Sequence, residues 1–270
     1  MSDFKWQDCY ISYLNLDSRI DRLIHIEQEL IRVGIKAERT RGKLPQEFDL
    51  NDPRLQVQVK RTPGSIGCHF GMVEIMQKAV DQNKSAIIFE DDCQFCSDFQ
   101  ERLDYIEMFL NKQKDWTFFF LGGTFHCGPS WWHKPGHSLD LQQCKCELGR
   151  DAETTNDPRI MRVYGMFSTH AWIISVKWIE RVLEFLDTHL HLSMGIDWIT
   201  ILMQPLVNAY CYVPGCVRQI DNKSDIGYGI TMFSGFSKLN GSIENSAYWW
   251  QDKAEDFNPS VFDWKEATKS

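Results

Sequence analysis

The run Ala86 to Asp92, A-I-I-F-E-D-D, joins a short apolar stretch to three consecutive carboxylates, Glu90, Asp91 and Asp92. Such a pattern reads as a buried strand that delivers charge to the edge of a sheet, where water or a cation can meet it. Three acids within one turn repel one another and raise each other's pKa unless a cation neutralises them, so the triplet suits a divalent metal with hard oxygen ligands. The competing reading is a solvated turn whose acids cap the following helix. The apolar residues Ile87, Ile88 and Phe89 in front of the acids favour the metal.

A second polar turn lies near the N-terminus. Cys9 to Leu16 reads as a strand rich in aromatic and branched residues that stops at Asn15-Leu16-Asp17-Ser18. A helix follows, with Ser18 and Asp21 spaced as a capping box, Leu23, Ile26, Leu30 and Val33 at helical intervals, and Gly34 as its stop. Arg19 and Arg22 share one face of its first turn, where guanidinium forks and free backbone N–H groups can meet phosphate; a solvated surface face is the alternative. A strand at Ile35 to Thr40 would complete a βαβ unit.

Beyond it, Gly42 to Pro63 loses periodicity and is punctuated by Pro45, Pro53 and Pro63, which predicts a long loop that acts as a lid or acceptor wall. Helices are expected at Ser65 to Gln82, Phe99 to Asn111 and Lys177 to Thr188, with another starting near Gly195. Strands are expected at Trp116 to Leu121, Ile160 to Tyr164, Ala171 to Ser175 and Tyr210 to Val213, and His126 to Asp157 reads as an irregular connection. The alternation predicts an α/β fold with a mostly parallel central sheet flanked by helices, a single Rossmann-like domain over residues 1–245 and an aromatic, acidic tail over 246–270. Ligands of such sheets gather at the carboxyl ends of strands. That rule puts an anion-capable turn and a metal-capable turn on one edge, a pairing suited to a nucleotide diphosphate and its cation.

The chain has 270 residues, 43% of them hydrophobic, enough for one large core. Its formal charge of −8 argues against a general nucleic-acid binder. Met1 to Asp8 lacks an apolar signal region and no later run approaches a membrane span, so a soluble, cytoplasmic protein is expected. Nine cysteines, an odd number scattered through the elements, suit a reducing compartment. Cys93 and Cys96 with Cys144 and Cys146 could offer zinc four thiolates, but the second pair lacks the usual spacing.

The motifs stand in a recognisable order: Y-L-N-L-D-S-R-I-D-R from Tyr13, S-I-G-C from Ser65, A-I-I-F-E-D-D from Ala86, H-A-W-I-I-S from His170, G-I-D-W from Gly195 and V-R-Q-I-D-N-K-S-D-I from Val217. In this the chain resembles glycosyltransferase family 25, which includes lipopolysaccharide-type sugar transferases and procollagen galactosyltransferases. The resemblance implies a GT-A type fold and a UDP-hexose donor, with galactose or glucose as the sugar. It also implies Mn²⁺ (or Mg²⁺) at the acidic triplet and transfer with inversion to a glycan or protein hydroxyl. Glu90 and Asp92 would take the places of a D-x-D pair, with Asp92 the direct metal ligand. Asn15, Leu16, Arg19 and Arg22, with Glu90 and Asp91, would sit by the donor. The chain departs from the family at G-C-H-F-G-M, where His69 directly follows Cys68 and Gly71-Met72 stands in place of the usual Ser-His.

Transfer by single displacement needs a base, and Asp197 is the candidate, at a helix start and beside Trp198, an aromatic face on which a sugar ring could lie. Its plainer role is a carboxylate answering the helix dipole. Gln219, Ser224 and Asp225 could close over the diphosphate or complete the metal shell, or form an ordinary polar turn. His170 could be a ligand or a structural hydrogen-bonding group. The pairs Trp131-Trp132 and Trp249-Trp250 are sugar platforms or packing anchors. A catalytically silent nucleotide or glycan binder of the same fold is the alternative function, and a two-metal phosphoesterase a third.

Overall fold

The computed structural model describes residues 3–113, 115–125, 152–192, 195–220 and 225 of the chain. Strand β1 (Tyr10–Asn15) is followed by helix α1 (Ile20–Arg32) and strand β2 (Glu38–Arg41), the expected βαβ unit. Helix α1 buries Arg22, Ile26 and Leu30, four residues apart, and turns the rest of its surface outward. Its stop is a left-handed Gly34 at φ 69°, after which the Ile35 N–H reaches back to the Leu30 carbonyl at 2.9 Å. The expected capping box is absent: Arg19 is the N-cap and no side chain caps it. The Asp21 carboxylate instead accepts two hydrogen bonds from the Arg19 guanidinium, at 2.9 and 2.8 Å.

The stretch expected as one long loop is partly helical. Single turns form at Pro45–Glu47 and Pro53–Leu55, each with proline at a helix start where its missing N–H costs nothing. Asp52 caps the second by accepting from the Arg54 N–H at 2.8 Å. Helix α2 (Gln56–Arg61) and the long α3 (Gly64–Asp81) follow, leading into β3 (Ala86–Glu90), the short β4 (Cys93–Phe95) and α4 (Phe99–Lys112). The remainder supplies β5 (Phe118–Phe120), β6 (Thr124–Phe125), β7 (Ala152–Thr154), β8 (Ile160–Val163), β9 (Met166–Phe167), β10 (Ala171–Ile174), α5 (Ile179–Thr188), α6 (Ile196–Met203), β11 (Ala209–Tyr212) and β12 (Val217–Gln219).

Eight strands form one sheet in the order β2-β1-β3-β10-β5-β11-β8-β7, with β12 paired to β4 and β6 to β9 in separate ribbons. The sheet is mixed rather than mostly parallel. β10 runs against both β3 and β5, and β8 runs against both β11 and β7. Alternation along the strands divides the core in two. Ile88, Phe118, Phe120 and Trp172 face Met72, Ile75 and Met76 of α3, Val182 of α5 and Ile199 of α6. Ile87, Phe89, Phe119 and Ile173 face Ile26 and Leu30 of α1 and Phe99, Leu103 and Ile106 of α4. Apolar strands buried on both faces explain why F-F-F and A-I-I-F read as continuous hydrophobic runs.

β1 has parallel neighbours on both sides, β2 and β3. The carboxyl ends of β1 and β3 therefore lie side by side at one edge of the sheet, where ligands of such sheets gather. Leu14 pairs with Glu90, so Asn15 and the acidic triplet emerge side by side at that edge. The aromatic pairs Trp131-Trp132 and Trp249-Trp250, the cysteines Cys144 and Cys146, and the 246–270 tail lie outside the described residues. Among the described residues no helix is long and apolar enough to cross a membrane.

Helix α3 comes unusually close to the chain after β2, because a Cβ on Gly67 would lie 1.9 Å from the Lys43 carbonyl oxygen. Alanine normally stabilises a helix interior by about 1 kcal/mol over glycine. Here overpacking against rigid backbone reverses the sign, and Gly67→Ala is expected to destabilise the protein by about 1–3 kcal/mol. A urea denaturation midpoint that does not fall would contradict the packing described here.

Candidate functional site

The three acids of the triplet take different roles once β3 ends. The Glu90 N–H is fixed by the His170 carbonyl at 2.8 Å, which pins the turn to the start of β10. Asp91 turns toward β1 and α1, where it accepts from Asn15 Nδ2 at 2.7 Å and from the Arg22 guanidinium at 3.0 Å. The same Arg22 nitrogen stands 3.2 Å from Asp92. Gln219, on β12, places its amide nitrogen 3.2 Å from Glu90 and 3.2 Å from Asp92, bridging the two. The Ile220 N–H donates to the Asp92 carbonyl at 2.8 Å, so the end of β12 is tied to the turn by backbone as well.

Burial and mutual repulsion set the charge balance. Glu90 is raised well above the ordinary glutamate range by desolvation, then by the charges of Asp92, Asp197 and Asp91, with Arg22 opposing. Burial also raises Asp92 and Asp91, and for both Arg22 is the main opposing influence. Arg22 is thus a counter-ion of the triplet, paired with Asp91 and Asp92. Two carboxylates buried at a strand end require such a partner.

Arg19 is likewise held by acids, Asp21 on its own helix and Asp225 on the segment after β12. Asn15 is buried and also accepts from Arg39 at 3.1 Å. Leu16 is half-buried, gives its carbonyl to the Arg19 N–H at 2.9 Å, and lies against Gly42. Ser224 lies outside the described residues.

Asp197 occupies the first turn of α6, and its charge reaches Glu90. Desolvation lifts it to about 6, against the pull of backbone N–H groups, its own and that of Ser168. Ser168 has φ 73°, a left-handed conformation unusual for a residue with a Cβ, and it is this backbone that serves the carboxylate. Trp198 makes an edge contact with Phe167, with ring centroids 5.6 Å apart. Gly195 leaves room for the turn, since a Cβ there would stand 3.2 Å from an Asp197 oxygen and 3.7 Å from Ser65 of α3.

Facing these acids from α3 is Cys68, whose sulfur lies 4.0 Å from Glu90 and whose thiol is held protonated by burial and by Glu90 and Asp197. Sequence spacing had not marked it as a site residue. The altered segment after it points elsewhere: His69 is buried, packs edge-on to Phe70 and is kept neutral, its pKa lowered to about 4 by burial. Gly71 admits the Leu14 side chain of β1, which a Cβ would meet at 2.4 Å.

Cys93 donates its thiol to the His170 carbonyl at 3.0 Å and Cys96 is buried, so both serve the core. Among the described residues no three His, Cys, Asp or Glu side chains converge as a metal cage. The donor set still fits a hard cation. Glu90 and Asp92 each turn an oxygen toward the Gln219 amide nitrogen, the surrounding negative charge is only partly balanced by Arg22, and the buried Gln219 Oε1 has no partner among the described residues. Magnesium-like ions are commonly held by one or two carboxylates and complete their shell with substrate phosphate and water.

No curated protein matches the chain significantly. The model of a family described as glycosyltransferase family 25 (LPS biosynthesis protein) matches residues 9–188, from β1 through α5. The match takes in the Asn15 turn, the acidic triplet, Cys68 and His170, and stops short of Asp197 and Gln219. With about two-thirds of its length matched, and with the acidic turn placed at the carboxyl end of a strand in an α/β sheet, the chain belongs to glycosyltransferase family 25.

Proposed function

We propose that this glycosyltransferase moves a hexose, galactose or glucose, from a UDP-sugar to a hydroxyl of a glycan or protein acceptor, with inversion, on a GT-A type fold. The observation that carries this reading is Asp197, a buried carboxylate tuned to about 6, whose charge reaches Glu90 of the acidic turn. Asp197 takes the proton of the acceptor hydroxyl as its oxygen attacks the anomeric carbon. The bond from that carbon to the diphosphate oxygen breaks, and its electron pair leaves with UDP. A pKa near 6 leaves the base ionised at neutral pH yet more basic than an ordinary aspartate. Glu90 and Asp92 would hold Mn²⁺ or Mg²⁺, which would supply countercharge to the leaving diphosphate. Trp198 and Phe167 offer an aromatic wall beside the base for the acceptor.

A second reading is a silent nucleotide or glycan binder. It draws on Arg22, which lies against both Asp91 and Asp92 and takes up part of the charge a cation would answer. Incubation with a panel of UDP-sugars and Mn²⁺ separates the two: release of UDP with at least one donor supports the transferase, and none with any donor supports the binder.

Asp197→Asn is expected to lower turnover by about 10²- to 10⁴-fold with donor affinity nearly unchanged. Wild-type activity should rise through an apparent pKa at about 6 or below, and the Asn variant should lose that limb. Because the folded state raises the Asp197 pKa from 3.8 to about 6, ionisation opposes folding. The penalty is absent below about pH 4, grows up to about pH 6 and is constant above it. Asp197→Asn should therefore be more stable than wild type by about 1–3 kcal/mol at pH 8, and by little at pH 4. Wild-type turnover in the Asn variant would remove Asp197 as the base.

Asp92→Ala should weaken UDP binding at least tenfold when Mn²⁺ is present and change it little when the cation is withheld. Isothermal calorimetry reads both. Equal affinity in the two proteins with Mn²⁺ present would exclude Asp92 from the metal site.

A further inference from the structure

His170 touches neither of the carboxylates its neighbourhood supports, yet it stands where three parts of the site meet. Its backbone carbonyl accepts the Glu90 N–H at 2.8 Å and the Cys93 thiol at 3.0 Å. Its ring lies 3.4 Å, through Nε2, from the carbonyl of Val217 on β12. The meeting is made possible by Gly122, where a Cβ would lie 2.5 Å from the ring nitrogen and 2.1 Å from the Val217 oxygen. Since a carbonyl can only accept, Nε2 carries the proton. Burial keeps the imidazole neutral by lowering its pKa to about 4, and leaves Nδ1 without a partner among the described residues. Two residues beyond Val217, on the same side of the strand, Gln219 bridges Glu90 and Asp92.

We propose that His170 is a positioning residue: through the Val217 carbonyl its ring holds β12 against the acidic turn and so sets Gln219 between Glu90 and Asp92. Its effect on cation affinity passes entirely through Gln219. The metal part of this inference rests on the reading of Glu90 and Asp92 as cation ligands, whereas the placement of β12 does not.

The test uses the full chain with His170→Phe, which keeps a ring but no donor, and His170→Gln, whose amide N–H can replace Nε2–H. Should the Phe protein fail to fold, His170→Asn, whose amide is too short to reach Val217, takes its place. Hydrogen exchange of the 216–220 segment should quicken about fivefold or more in the Phe variant and stay near wild type in the Gln variant. Titration with manganese chloride should show affinity about 10- to 100-fold weaker for Phe and within about threefold of wild type for Gln. The double variant His170→Phe, Gln219→Ala should bind manganese no more weakly than Gln219→Ala alone.

Unchanged exchange at 216–220 in the Phe variant overturns the inference, as do losses that multiply in the double variant. If exchange responds as expected and wild type binds no manganese, the placement of β12 stands and the metal reading falls.

Discussion

Glu90, Asp91, Asp92 and Asp197 gather their charge at the rim of one sheet, and the structure around them is organised by the need to keep them there. Carboxylates removed from water are stable only when paired, hydrogen-bonded or neutralised. Arg22 answers Asp91 and Asp92, Asn15 holds Asp91, Gln219 spans Glu90 and Asp92, and the Ser168 backbone, in a strained conformation, serves Asp197. On the proposed reading, a cation and the diphosphate it brings answer the charge that Arg22 leaves unbalanced.

The fold supplies this rim by simple means. β1 and β3 are parallel neighbours, so polar residues at their carboxyl ends meet at one edge of the sheet. β10 runs back between β3 and β5 and brings His170 to the end of β3. The β4–β12 ribbon folds over the turn and delivers Gln219. Helix α6 delivers Asp197, and α3, packed on the same face of the sheet, brings Cys68 beside Glu90. Each group is carried by a regular element, or by the first residue outside one, which limits how far the constellation can drift.

Much of this was legible in the amino-acid sequence because the strongest signals were local. A continuous apolar run ending in acids located β3 and its turn, helical periodicity located α1, α3, α4 and α5, and Gly34 marked a real stop. What escaped depended on pairing across the chain. Nothing local says that β8 and β10 run against their neighbours, or that β4 and β12 form a ribbon of their own. Proline in the 42–63 stretch read as loop because its breaking role hides its preference for the first residue of a helical turn. Arg22 was noticed for the right reason, its place at a helix start, but its partner is decided by the buried carboxylates 69 and 70 positions away. Cys68 carried no signal beyond its motif, since a thiol on an apolar helix face reads as core.

On the proposed reading, Glu90 and Asp92 together grip a divalent ion against the diphosphate of the donor. The most direct measurement is a crystal structure of the protein with Mn²⁺ and UDP, with the ion identified by its anomalous scattering. The expected result is a peak within coordination distance, about 2.0–2.3 Å, of oxygens from Asp92 or Glu90 and from the UDP diphosphate. UDP bound with no anomalous peak at those carboxylates, and with Asp92 still paired to Arg22, would contradict it.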